Sequence, residues 1–150
     1  MSKHSNIPSA FKGPDGVQRA GRILTDGRLL KDFVGLSDLL AQGGEILAAD
    51  AGDVLIREGE VDDFVMFVLS GVVRVVVTGQ ALAERSVGDL LGEMALLEPS
   101  PKRAASVIAV GPVVYLRILG SVFLRGAEAS PLDVHGVVLR GVGARAHLAR

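Results

Sequence analysis

One carboxylate and one guanidinium, Glu93 and Arg103, stand ten residues apart in a segment that is otherwise mostly apolar and broken by glycine and proline. The first lies in Gly92-Glu93-Met94-Ala95-Leu96-Leu97, the second in Pro101-Lys102-Arg103-Ala104-Ala105-Ser106-Val107. A buried charge is costly unless it is paired or kept for a ligand, and the neighbouring Val, Leu and Ala offer no partner. The pattern suits a small anionic ligand. Gly92 precedes Glu93 where a strand should end, and one short helical turn from there would present backbone N–H groups. Such a turn beside a guanidinium makes an anion cradle. Arg103 can grip a phosphate with two parallel N–H bonds, while Glu93 suits a ribose hydroxyl as acceptor. Phosphate together with ribose means a nucleotide.

Other chemistries lack their marks. His4, His135 and His147 match no HExxH or similar zinc spacing, and no GxSxG or Walker sequence is present. No nucleophile, base and orienting group can be assembled, so an enzyme is not expected, nor a metal or bound cofactor beyond the ligand itself. Asp50, Asp53, Glu58, Glu60, Asp62 and Asp63 form an acidic run without the calcium-loop spacing of an EF-hand, and read as solvated turn charge. Lys102 and Arg103 form a local positive pair in an acidic surround, and the bland alternative is that both are solvated loop charges.

The chain that must position these residues has 150 of them, 49% hydrophobic and 22% charged, which suits one domain with one core. There is no Trp and one Tyr, so Val, Leu, Ala and Ile must fill that core. The absence of Cys excludes disulfides and thiol catalysis and fits a reducing compartment. The N-terminus has no apolar signal core, Ser2 lacks the glycine of myristoylation, and no apolar run reaches the roughly 18 residues of a membrane span, so a cytoplasmic protein is expected. The net charge of −1 is unevenly spread: residues 38–101 hold twelve acidic side chains against Arg57, Arg74 and Arg85. Such a body repels nucleic acid, so no direct DNA binding is expected, and no membrane contact.

Residues 1–20 are rich in Ser, Lys, Gly and Pro without period and read as a flexible tail, leaving 21–150 as the domain. Leu29, Leu30, Phe33, Val34, Leu36, Leu39 and Leu40 predict a helix over about 23–40. From about 44 to 118 short apolar runs alternate with Gly, Asp and Pro, the texture of an all-β sandwich or barrel. Strands are predicted over 44–48, 53–57, 64–70, 72–77, 81–86, 89–92, 104–110 and 113–118. Thr78-Gly79-Gln80 reads as a hairpin turn with Val75 and Leu82 as partners across it. Helices close the chain over about 120–149: a short one at 120–128, then 132–149, where Gly136, Gly141 and Gly143 each cost about 1 kcal/mol relative to Ala.

These residues resemble the cyclic nucleotide-binding domain family, the module of the catabolite activator protein and of the protein kinase A regulatory subunit. The family's phosphate-binding cassette reads G-E-(hydrophobic)-A-L, a short variable stretch, then R-(A/S/T)-A-(S/T)-V, and here those are Gly92 to Leu96 and Arg103 to Val107. The likeness continues upstream through Ala51 to Glu60 and Phe67 to Val75, covering about 75 residues with the family's glycine turns in place. It implies a mainly β fold, an eight-stranded antiparallel β-roll with helices at both ends.

The resemblance also implies roles. Glu93 would accept from the ribose 2′-hydroxyl and Arg103 would pair with the cyclic phosphate. Backbone N–H groups of Ala95 and Ala105 would join the cradle, which Gly92 and Met94 line. Val75, Leu82, Ala83 and Leu91 would form the apolar wall near the base. Guanine-preferring members often carry Thr or Ser after the arginine; Ala104 has no hydroxyl, which favours cAMP over cGMP. The chain ends short of a helix-turn-helix, so the expectation is a stand-alone sensor signalling through its C-terminal helix to an effector protein or a homodimer partner. The competing expectation is a β-roll without ligand that serves as an interaction or dimerisation domain.

Overall fold

The computed structural model describes residues 7–27, 30, 34–93 and 102–128. A short 3-10 turn, Ser9–Phe11, leads into α1 (Gly13–Asp26) and α2 (Val34–Gly43). Eight strands follow: β1 (Glu45–Ala49), β2 (Val54–Ile56), β3 (Phe64–Ser70), β4 (Val73–Val77), β5 (Gln80–Arg85), β6 (Leu90–Leu91), β7 (Ser106–Ala109) and β8 (Val113–Leu119). Helix α3 (Gly120–Glu128) ends the described chain. The strands form two antiparallel four-stranded sheets, in the order β1-β8-β3-β6 and β2-β7-β4-β5.

The first sheet is a middle layer, and its sequence says so. Val65, Phe67 and Leu69 of β3 pack with Val114, Leu116 and Ile118 of β8 against Leu24, Leu36, Leu40 and Phe123 of the helices. Met66 and Val68, alternating with them, point the other way, to Val73, Val75 and Val107 of the second sheet. A strand buried on both faces shows a continuous apolar run rather than alternation, hence Phe64-Val65-Met66-Phe67-Val68-Leu69. All eight predicted strands are present, with ends shifted by a residue or two.

The helices depart further from expectation. Part of the expected tail is ordered structure, because α1 takes residues 13–26. Its buried stripe is Gly16, Ala20, Gly21 and Leu24, mostly small residues, so the helical period carries little hydrophobic weight in the sequence. The helix expected over 23–40 is two helices, the first ending where the Gly27 N–H bonds the Leu24 carbonyl at 3.2 Å. The segment 132–149 lies outside the described residues.

The hairpin between β4 and β5 has a two-residue turn, Thr78-Gly79, and Gln80 already pairs with Val77. Both turn residues have positive φ, 50° and 77°, as a type I′ turn requires. The register then shifts: Val76 pairs with Ala81 and Val75 with Ala83, so Leu82 is a bulge residue and not the partner of Val75. Thr is β-branched and disfavours this φ, whereas Asn tolerates it. The Thr78 N–H donates to Glu58 Oε1 at 2.8 Å, a backbone bond that Asn keeps, and the exposed hydroxyl adds only a long bond of 3.5 Å to Glu58 Oε2. Thr78→Asn is therefore expected to stabilise the fold by about 0.5–1 kcal/mol, read as a higher urea midpoint; an unchanged or lower midpoint would contradict this.

Candidate functional site

Three segments meet at one end of the two sheets. β6 delivers Gly92 and Glu93 as it ends, the loop before β7 delivers Arg103, and the approach to β3 delivers Asp62 and Phe64. The backbone fixes the last two segments together. The Arg103 N–H donates to the Glu60 carbonyl at 2.8 Å, the Gly59 N–H donates to the Arg103 carbonyl at 2.9 Å, and Val61 forms a bridge with Lys102. Glu58 adds to this clamp, its N–H donating to Ser106 Oγ at 3.0 Å.

Glu93 is fully buried and Arg103 is 5% exposed, so the opening pair of charges is inside the protein. The two are joined through a glycine: Arg103 Nη1 donates to the Gly92 carbonyl at 3.0 Å, one residue before Glu93. The guanidinium is held by two further groups. Its Nε and Nη2 face the Asp62 carboxylate, and Nη2 also donates to the Phe64 carbonyl. Its carbon lies 4.9 Å from the centroid of the Phe64 ring.

This corrects two expectations. The reading of Arg103 as a solvated loop charge fails, because it is buried and paired with Asp62, 41 residues away. Asp62 was expected to be a solvated turn charge, yet it is the counterion of a buried arginine; Lys102, in contrast, is exposed as expected. Neither Asp62 nor Phe64 carries a local signal, because only the pairing of residues 59–61 with 102–103 brings them to the site. The demand for a carboxylate was readable from Arg103; which carboxylate was not.

The other predicted residues divide. Val75 and Leu91 are buried in the cluster between the sheets, with Ala105 packed against it. Ala83, directly across from Val75, is half-buried. Leu82, the bulge residue, is 44% exposed and does not join that cluster. Ala104 is exposed beside Arg103. Met94 and Ala95 lie outside the described residues, as does the helical turn expected after Glu93. Among the described residues no group of three or more metal-ligating side chains assembles, and no helix is long and apolar enough to cross a membrane.

A buried carboxylate and a buried arginine thus lie beside one positive-φ glycine at the end of a two-sheet roll. Residues 46–130 match the sequence family described as the cyclic nucleotide-binding domain. The chain belongs to that family. Among curated proteins, this cyclic nucleotide-binding domain resembles the Pycsar effector protein XpPycTIR of Xanthomonas perforans, 39% identical over 121 residues, which are 81% of this chain and 40% of the relative. A second, PaPycTIR of Pseudomonas aeruginosa, is 37% identical over 81% of this chain. The chain spans about two fifths of the length of these curated relatives. Among solved structures, cAMP-bound PfPKA-R superposes with a TM-score of 0.76 at 22% identity, over 88% of this chain and 45% of that one. The β-roll with terminal helices is thus the family fold.

Proposed function

We propose that the domain binds a cyclic nucleotide at Glu93 and Arg103 and serves as a sensor that regulates an effector. The observation that carries this reading is the burial of both charges beside one glycine, within a chain of the cyclic nucleotide-binding family. When bound, the nucleotide supplies an anion and a ribose hydroxyl, and the residues divide the work between them. Glu93 is a fully buried acceptor, suited to a hydroxyl donor. Arg103 has five N–H groups, of which three donate to Asp62, Gly92 and Phe64, leaving one on each terminal nitrogen. The one on Nη2 lies against Asp62, so a phosphate that takes both must share that nitrogen with the carboxylate.

Base choice follows from what the wall lacks. Ala104 has no hydroxyl for the guanine amino group, and Val75, Ala83 and Leu91 are apolar, so cAMP is favoured over cGMP. A missing hydrogen bond is worth on the order of 1 kcal/mol, which makes the preference severalfold. The signal passes through the chain that follows β8, beginning with α3, to an effector in the cytoplasm, either a partner protein, a second copy, or further chain of the kind the longer relatives have room for.

One observation favours the second reading, a roll without ligand that serves as an interaction or dimerisation domain. Asp62 already compensates Arg103, so the arginine does not need a phosphate to be tolerated in the interior. Titration calorimetry with cAMP, cGMP, cCMP and cUMP separates the two. The expected result is saturable binding with cAMP several times tighter than cGMP. A tighter pyrimidine nucleotide would keep the site and overturn the base assignment; no heat with any of the four would leave the second reading.

A further inference from the structure

The Arg103 guanidinium is fixed within its own plane by Asp62, the Gly92 carbonyl and the Phe64 carbonyl, because all its N–H groups point in that plane. In-plane bonds resist a tilt of the planar group only as far as their angles weaken; a flat surface against its face stiffens that tilt further. Phe64 provides that surface as well as one of the carbonyls, with its ring centroid 4.9 Å from the guanidinium carbon. The ring is half-buried at the edge of the cluster between the sheets, packed beside that core without filling its centre.

A second cation uses the same ring. Arg117 of β8 lies 5.1 Å from the Phe64 centroid. The register places it there: Phe64 pairs with Leu119 and Met66 with Arg117, so Arg117 shares Phe64's face of the sheet, two residues along from Phe64's partner. Unlike Arg103, Arg117 is exposed. Two guanidinium groups gathered on one ring repel each other, and an anion arriving at Arg103 relieves that repulsion.

We propose that Phe64 is a positioning residue for the anion fork. Its ring holds the tilt of Arg103 so that the remaining N–H groups meet a phosphate, and Arg117 on the same ring strengthens the attraction for that phosphate. This rests on the cyclic nucleotide reading for the identity of the anion, but the ring's hold on Arg103 is independent of it.

The test compares Phe64→Leu and Phe64→Met, which keep bulk without a π face, with Phe64→Tyr, which keeps the ring. Binding of whichever of the four cyclic nucleotides binds best is measured by calorimetry at low and high salt. A cation–π contact of the usual strength predicts roughly three- to thirtyfold weaker binding for Leu and Met, and less than about twofold change for Tyr. In an Arg103→Ala background Phe64→Leu should add nothing further. Arg117→Gln should weaken binding at low salt, with the loss shrinking as salt rises. The second readout needs no nucleotide: in spectra of the free protein the Arg103 Nε–H should carry a ring-current shift that Tyr keeps and Leu and Met remove. If no nucleotide binds but the shift behaves so, the function is wrong and the positioning stands. An unchanged shift in Leu and Met, undiminished binding in both, an equal loss in the Arg103→Ala background, or failure of both to fold would overturn the proposal.

Discussion

Replacing Arg103 by alanine is expected to weaken cyclic nucleotide binding about 30-fold or more and to destabilise the unliganded protein by about 2–4 kcal/mol. The two effects have different sources. Loss of binding follows if Arg103 holds the phosphate as proposed, since removing one member of a buried charge pair costs about 2–5 kcal/mol, or 30-fold and more in affinity. Loss of stability follows because three acceptors, the Asp62 carboxylate and the carbonyls of Gly92 and Phe64, lose their donor at once. The Asp62 side chain is 26% exposed against 4% for Arg103, so water can reach part of the orphaned carboxylate, which keeps the expected loss below the upper end for a fully buried pair. Arg103→Lys should recover little, since a point charge with three donors on one nitrogen cannot span three acceptors set around a planar fork. Urea unfolding and calorimetry on the two variants check this together. A variant that loses binding at full stability would mean that the contacts to Asp62, Gly92 and Phe64 contribute nothing to the fold.

That double role marks the limit of what the sequence discloses. Glu93 and Arg103 stand out because a charge in an apolar segment is anomalous by itself, and the structure buries both. The β-core is legible for a related reason: strands buried on two faces write long apolar runs, and turns between them require glycine. Helix α1 is not legible, because its buried stripe consists largely of Gly16, Ala20 and Gly21, which a period of large apolar residues does not register. The bulge at Leu82 is hidden too, since one extra residue in β5 leaves the strand pattern intact while moving Leu82 out of register with Val75. Asp62 and Phe64 are hidden most deeply. Each reaches Arg103 across about forty residues of chain, through backbone pairing at Glu60 and Val61. Six acidic residues crowd that stretch, and charge alone does not choose among them.

Gly92→Ala is expected to be nearly as damaging as loss of the arginine, and a second glycine shows why. Gly92 has φ of 87°, and a Cβ built there would stand 2.7 Å from Arg103 Nη1 and 3.1 Å from the Phe64 carbonyl oxygen. Gly79, in the hairpin turn, has φ of 77°, and a Cβ there would meet nothing within 4 Å. Alanine at position 79 therefore bears only the left-handed backbone penalty, about 1–2 kcal/mol. Alanine at position 92 bears the same penalty and must also displace a guanidinium that Asp62, Phe64 and the residue's own carbonyl hold in place. An exposed arginine would swing aside; this one has no room to do so at 5% exposure. The expected loss at position 92 is roughly 2–5 kcal/mol by adding about 1–3 kcal/mol for the displaced buried hydrogen bonds to the backbone penalty. Cyclic nucleotide affinity should fall at least tenfold for Gly92→Ala and stay within about twofold for Gly79→Ala, because only the first displaces the Arg103 fork. Equal losses of stability at the two positions, with binding intact in both, would show that the glycine serves the turn alone and that Arg103 has slack. Unequal losses would place the tightest packing constraint of the site on the main chain beside Glu93, where the family cassette has its glycine.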